Sequence, residues 1–233
     1  MKKKKISFTL SEVLITLVVI GIIAAVTVPV VMANHKKTET AAKLKKFYST
    51  MSEAVKLSEM EHGMKSYEWN HPNTCYDYDL TKEYYFEYIL PYIVYLDMKK
   101  LSDTEYYNKM DFKWKELSEN SPIVYLNDGS LFFIDECYDT LLYDVNGERG
   151  PNKSGRDMFA FFIVSVSDGD ELVSNPLPHF NTLRPYDYGD TTTVSSPERE
   201  QAKQHCTGDD TALCAYLIQL DGWEFKDDYP IKL

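Results

Sequence analysis

The chain has 233 residues and a formal net charge of −11 at pH 7, which becomes −15 without the four lysines at positions 2–5. So acidic a chain argues against nucleic-acid binding, because neutralising phosphates requires basic patches. The 18 tyrosines and 11 phenylalanines favour a β-rich domain over a disordered chain.

The chain begins with a basic stretch followed by a long apolar one. Lys2–Lys5 precede an uncharged run of twenty residues from Val13 to Met32. As a helix rising about 1.5 Å per residue, this run spans about 30 Å, the thickness of a bilayer's hydrocarbon core. The lysines predict that the preceding end stays on the cytoplasmic side. The acidic residue at its edge, Glu12, is disfavoured in lipid and therefore indicates a functional partner.

Two ordinary explanations of this segment are a cleaved secretory signal and a single-pass anchor. Residues 31–33 form an acceptable signal cleavage site, but the apolar run exceeds the roughly 7–15 residues of a signal core. Signal cores also avoid acids such as Glu12. A plain anchor fits the length and leaves Glu12 unexplained.

A third interpretation accounts for every feature of the segment. A lysine-rich leader, the small residue Ser7, then Phe8, Leu10 and Glu12 ahead of an apolar helix resemble the N-terminal methylation signature of type IV pilins and type II secretion pseudopilins. The resemblance implies that prepilin peptidase cleaves between Ser7 and Phe8 and that the Phe8 amine is methylated. It also implies that Glu12 pairs with the N-terminal amine of a neighbouring subunit. The family usually has glycine before the cleavage site, so Ser7 predicts slower cleavage.

The same resemblance implies the location and partners of the protein. It predicts a single-pass protein of the bacterial inner membrane, with an extracytoplasmic head, that enters a filament. The expected partners are other pilin or pseudopilin subunits, prepilin peptidase, an inner-membrane platform protein, an assembly ATPase and the membrane. The predicted division is a cleaved leader at 1–7, a membrane or filament-core segment at 8–33, an amphipathic segment at 34–62 and a head at 63–233.

The helix is predicted to continue well beyond the apolar run. Apolar or small residues recur every three or four positions at 41, 44, 47, 48, 51, 54, 55 and 58, with lysines and Glu53 on the other face. This pattern is typical of a helix that packs one face on a protein core. Gly63 predicts its end. A single helix from about Phe8 to His62 follows.

The middle of the chain changes from short helices to strands. Residues 64–122 predict one or two short helices, and the tyrosines at 84, 85 and 88 are interpreted as core cover in preference to an adhesive surface. Ile123–Leu126, an Asn-Asp-Gly-Ser turn and Leu131–Asp135 predict a hairpin. Further strands are predicted at 141–145 and 159–166.

A loop rich in Asp, Asn and Gly lies between those last two strands. Its sequence, DVNGERGPN followed by GRD from Asp144, resembles a loop in the heads of pseudopilin-like proteins. Asp144, Asn146 and Glu148 are weak calcium candidates, because carboxylate and amide oxygens suit this ion. The EF-hand template fails at its glycine and closing-glutamate positions. A tight turn without metal is preferred.

The last third is predicted to contain a long loop and a closing strand. Residues 174–200, rich in Pro, Asp, Thr and Ser, predict a loop without regular structure. The sequence CAYLIQLDGWEFKDDYP resembles the closing strand of pilin-like heads. Cys206 and Cys214 are predicted to form a disulfide that pins it, and Cys75 and Cys137 would then pair by elimination. Zinc is disfavoured because no C-x-x-C exists.

These observations predict an α+β, pilin-like fold: one long N-terminal helix packed on a small antiparallel sheet. No catalytic fingerprint is present, so an enzyme is not expected, and neither is a firm cofactor. The expected function is a structural filament subunit, a type II secretion pseudopilin being preferred through the DVNG loop. The alternatives are a type IV pilin for adhesion, motility or uptake, and an anchored binding module that does not polymerise.

Overall fold

A computed structural model describes residues 9–70, 77–110, 118–135, 140–163, 183–185, 198–207 and 211–233. Within them the helices are α1 (Leu10–His62), α2 (Tyr78–Tyr88), α3 (Arg199–Gln204) and α4 (Cys214–Leu220). The strands are β1 (Tyr95–Lys100), β2 (Pro122–Leu126), β3 (Leu131–Asp135), β4 (Thr140–Asp144), β5 (Met158–Ile163) and β6 (Leu183–Pro185). Short 3₁₀ helices cover Ser66–Glu68, Leu90–Tyr92, Leu101–Asp103 and Glu105–Lys109. The predicted α+β, pilin-like class is confirmed.

Helix α1 is one continuous element of 53 residues. Pro29 lies inside it without ending it, and Gly63 terminates it with a left-handed φ of 67°, which glycine adopts without steric cost. The predicted stripe is confirmed: the buried residues of α1 are Thr40, Ala41, Leu44, Phe47, Met51, Ala54, Val55 and Ser58. The second half of α1 therefore supplies one layer of the core.

The sheet is an antiparallel meander with the strand order β1-β2-β3-β4-β5-β6. The predicted β2–β3 hairpin is confirmed, with Ile123 opposite Phe133 and Tyr125 opposite Leu131. The predicted strands at 141–145 and 159–166 correspond to β4 and β5, the second of which is described to Ile163.

Both faces of the sheet are buried, which explains the nearly continuous apolar sequence of its central strands. Alternate side chains of β3 point to opposite faces. Phe132 faces α1, and Phe133 faces a second core cluster. That second cluster is closed by Leu101 and Tyr106, which come from the 3₁₀ helices after β1.

The tyrosines of α2 close the far end of the core. Tyr84, Tyr85 and Tyr88 are at most 4 % exposed, and Trp69 stacks on Tyr88 with ring centroids 4.7 Å apart. The interpretation of these tyrosines as core cover is confirmed.

The predicted closing strand and part of the predicted helical region were wrong. The sequence CAYLIQL forms helix α4, since the backbone N–H of Leu217 bonds to the oxygen of Leu213 and that of Asp221 to the oxygen of Leu217. A short apolar run fits a buried helix and a buried strand equally well. Residues 95–100, assigned above to a region of short helices, form the edge strand β1. Pairing with β2 decides its conformation.

The predicted structureless loop at 174–200 was wrong in part. Residues 183–185 form β6, which pairs with β5, and α3 begins at Arg199. The rest of that prediction lies outside the described residues.

Candidate functional site

The first half of α1 leaves the head and makes no core contact. Every large apolar side chain from Leu10 to Met32 is exposed, and none of the most apolar window of the helix is buried. Among the described residues, α1 is the one helix long and apolar enough to cross a membrane. A surface this apolar requires lipid or other protein around it.

Glu12 takes part in the N-terminal cap of that exposed helix. Its Oε2 accepts hydrogen bonds from the backbone N–H of Thr9 at 2.8 Å and from the Thr9 hydroxyl at 2.9 Å. The Thr9 Oγ1 accepts in return from the backbone N–H of Glu12 at 3.2 Å. This is a reciprocal capping box, which satisfies two donors that a helix start otherwise leaves unpaired.

This cap was not among the predicted features, although its signal is present in the sequence. A Thr-x-x-Glu pattern directly before an apolar run is the signature of a capping box, and Thr9 to Glu12 reads TLSE. Glu12 thus has a role within its own chain in addition to the expected intermolecular one. Ser7 and Phe8, the predicted cleavage pair, lie outside the described residues.

The loop after β4 is built around two buried aspartates. Asp144 accepts a hydrogen bond from the hydroxyl of Tyr106 and another, at 3.0 Å, from the backbone N–H of Asn146. Asp157 accepts from the backbone N–H groups of Asn152 at 3.0 Å and Lys153 at 2.6 Å. The carboxylates therefore fold the loop back on itself and fix Tyr106 over the sheet.

The three calcium candidates are each engaged by other protein groups. Asp144 is bonded to Tyr106, the Asn146 side-chain amide donates to the oxygen of Arg149 at 2.5 Å, and Glu148 accepts from the Tyr125 hydroxyl at 2.7 Å. In the described part of the chain, no three His, Cys, Asp or Glu side chains are grouped closely enough to hold a metal ion. The preferred turn is what the backbone forms, with Gly147 at a φ of 64° against the Gly129 carbonyl. Calcium binding stays a prediction that the contacts do not require.

Asp144 makes the stability of the head depend on pH. Burial raises the pKa of this carboxyl to about 7, Asp157 raises it further, and the Tyr106 hydrogen bond opposes both effects. An unfolded aspartate has a pKa of about 3.9. Between about pH 4 and pH 7 the folded chain therefore holds a proton that the unfolded chain has released, and the free energy of unfolding falls as pH rises. Below and above this window the contribution is constant.

Asp144→Asn is expected to flatten that fall, because asparagine keeps the shape and cannot ionise. Between pH 4 and pH 8 the free energy of unfolding of the wild type should fall by at most about 4 kcal/mol more than that of the variant. Chemical denaturation of the full chain in detergent measures both. The exposed Asp227→Asn is the matched control and should leave the wild-type pH profile unchanged. An unaltered slope in Asp144→Asn would contradict the assignment.

The C-terminal helices are joined covalently. Cys206 and Cys214 form the predicted disulfide, with their Cα atoms 4.8 Å apart, and it links α3 to α4 in place of the strand expected there. Arg199 adds ion pairs to this covalent link: its Nε lies 2.6 Å from Oδ1 of Asp221, and its Nη2 lies 2.8 Å from Oδ1 of Asp228. Cys75 and Cys137 lie outside the described residues.

Comparison with known families found two matches that divide the chain between them. Residues 2–28 match the model of the prokaryotic N-terminal methylation motif. Residues 30–233 match the model described as a family of unknown function (DUF6613). Searches of curated proteins and of solved structures found no match.

Proposed function

Because the chain belongs to the family of unknown function DUF6613 and begins with the methylation motif of type IV pilin-like proteins, we propose that it is a subunit of a pilus-like filament. Its proposed role is that of a type II secretion pseudopilin. The observation that carries the proposal is the geometry of α1: one unbroken helix, half exposed and apolar, half packed on a head, with Glu12 at its start.

The motif indicates a substrate of prepilin peptidase. Cleavage before Phe8 creates an α-amine, which with a pKa near about 7.7–8.0 is a cation at neutral pH. This amine then lies four residues before Glu12, at the same end of the helix. An ammonium and a carboxylate are each costly in an apolar environment and offset one another only when they pair.

The capping box supports an ordered addition of subunits. In the single chain the Thr9 backbone and hydroxyl groups hold one oxygen of the Glu12 carboxylate. The other oxygen can therefore accept from a neighbour's Phe8 amine without the helix losing its first turn. Lateral packing of the apolar halves of α1 then removes their exposed surface from lipid, and the proposed assembly ATPase and platform protein drive that extraction.

The test is the mature N-terminus of the protein purified from cells that contain prepilin peptidase. Intact-mass analysis should give a chain that starts at Phe8 and carries one additional methyl group. Ser7→Gly should increase the rate of processing, since glycine is the usual residue before this cleavage site. A retained lysine leader, or a mature chain starting near Asn34, would refute the proposal.

A further inference from the structure

Two oppositely charged surfaces lie on different elements of the chain, one on the middle of α1 and one on α2. The first, the basic collar, consists of the lysines of α1 just after its apolar half: Lys36, Lys37, Lys43, Lys45 and Lys46. Glu39 is the one acidic residue between Asn34 and Lys46, so this short stretch has a net positive charge in a chain of net charge −11.

Part of the basic collar is occupied within the chain and part is free. Lys46 pairs with Asp128 at 2.7 Å, and Lys43 donates to the oxygen of Val145 at 2.8 Å. Lys37 and Lys45 form no ion pair with any carboxylate in the described ranges, whereas Lys36 lowers the pKa of the buried Asp157 against the effect of burial. Lys37 and Lys45 can therefore bind an external anion without breaking an ion pair of the head.

The second surface, the acidic face, is formed by α2 and the strand beside it. Asp79, Glu83 and Glu87 are exposed and four residues apart, so they lie along one side of the helix. Like charges at this spacing destabilise a helix by a few tenths of a kcal/mol per pair. None of the three forms an ion pair with a lysine or arginine in the described ranges, so no ion pair there compensates this repulsion.

The carboxylates of β1 and the following 3₁₀ helix extend the acidic face. Burial raises the pKa of Tyr78, and Asp79, Asp103 and Asp97 raise it further, which places these carboxylates around one ring. Asp97 pairs with Lys99 at 3.3 Å, and the neighbouring Leu96 is 69 % exposed. An exposed apolar residue beside carboxylates is typical of a protein-binding surface.

The two surfaces are separated along α1. The ring of Tyr88 on α2 lies 4.9 Å from His62, and the Tyr92 hydroxyl donates to Glu61 at 2.9 Å, so α2 packs at the last turn of α1. The 17 residues from Lys45 to His62 correspond to about 26 Å of helix, which separates Lys37 and Lys45 from the end of α2 that packs on α1. The carboxylates at that end of α2 therefore lie out of reach of these two lysines in the same chain, but they can bind those of other copies.

We propose that the basic collar of one copy of this chain docks on the acidic face of another copy. The proposal rests on the proposed function, whose neighbouring subunit it defines more closely. A contact between two different surfaces does not close on itself in a pair and generates an open helical array when repeated. Charge complementarity fixes the direction of stacking, because collar against collar or acid against acid repels.

The test is a charge exchange in the full chain, expressed with the processing and assembly proteins and measured as the fraction in sheared filaments. The collar reversal K37E/K45E and the acidic-face reversal E83K/E87K should each lower that fraction about tenfold, since two attractions become repulsions. The two reversals combined in one chain should restore the fraction to within about threefold of wild type. Circular dichroism must show that each variant is folded.

Matched controls and the opposing outcomes separate this contact from others. Lys232→Glu and Asp227→Lys make the same kinds of charge reversal outside both surfaces and should have no effect. A combined variant as poor as the single reversals would overturn the proposal. A collar reversal that weakens retention in vesicles of phosphatidylglycerol but not of phosphatidylcholine, and that the second reversal does not rescue, would identify lipid headgroups as the partner instead.

Failure of the proposed function gives a different pattern. If wild-type chain never enters filaments, the function is wrong, and the docking is then measured by sedimentation of the full chain in detergent. Self-association at low salt, lost in each reversal and regained in the combination, would support the docking by itself. If filaments form normally from both single reversals, the function stands and the docking is refuted.

Discussion

Glu12→Gln is expected to lower incorporation of the chain into filaments by about a hundredfold or more. In the proposed filament, this change leaves the neighbour's Phe8 amine as an uncompensated buried charge, which costs about 3–5 kcal/mol. Glutamine retains the oxygen that accepts from Thr9, and Glu or Gln is suited to this position of a capping box. The variant therefore removes the charge while keeping the start of the helix. The measurement is the ratio of sheared to cell-associated protein by immunoblot.

Thr9→Ala is the matched control for that variant. It removes the hydroxyl that accepts from the backbone N–H of Glu12 at 3.2 Å and leaves the carboxylate in place. Loss of an N-cap costs about 1 kcal/mol, so incorporation should fall by less than about tenfold. Equal losses in the two variants would show that Glu12 acts through the helix cap and not through its charge.

Phe47→Ala is expected to destabilise the head by about 3–5 kcal/mol, the usual range for truncating a buried aromatic side chain. Phe47 is 3 % exposed and lies on the face of α1 that meets the sheet. Its ring stacks on Tyr143 with ring centroids 4.1 Å apart, and it makes an edge-on contact with Phe161 with ring centroids 5.2 Å apart. The residue therefore joins α1 to β4 and β5. Chemical denaturation of the full chain in detergent, followed by near-UV circular dichroism, measures the loss.

Phe86→Ala removes the same side chain from a surface position. Phe86 is 43 % exposed on α2, so its loss should cost less than about 1 kcal/mol. Similar losses for Phe47→Ala and Phe86→Ala would contradict the assignment of Phe47 as the residue that joins α1 to the sheet.

The sequence was sufficient for elements whose pattern is long or whose turn chemistry is specific. The apolar periodicity predicted the length of α1 and its buried face, and Gly63 predicted its end. The turn residues predicted the hairpin around Gly129. It was insufficient where tertiary contacts decide the conformation. Strand β1 is polar and exists through pairing with β2. The buried run after Cys214 is helical because it packs against the head over most of its circumference.

In the candidate site, too, local sequence patterns were predictive and long-range contacts were not. Glu12 was found because a lone acid beside an apolar segment is costly, whereas its bond to Thr9 required attention to a four-residue pattern. The Tyr106–Asp144 pair joins residues 38 positions apart. No local signal connects them, since the contact depends on how the 3₁₀ segment crosses the sheet.

The meander of the sheet has a consequence for how the protein matures. Each strand pairs with the next one along the chain, so the contacts within the sheet are comparatively local, and local contacts form quickly. Docking of α1 is different, since Phe47 meets Tyr143, which lies 96 positions further along the chain. For the proposed membrane-anchored subunit, we therefore expect the sheet to assemble as the polypeptide emerges from translocation, with the second half of α1 docking last, while its first half is still held in the bilayer.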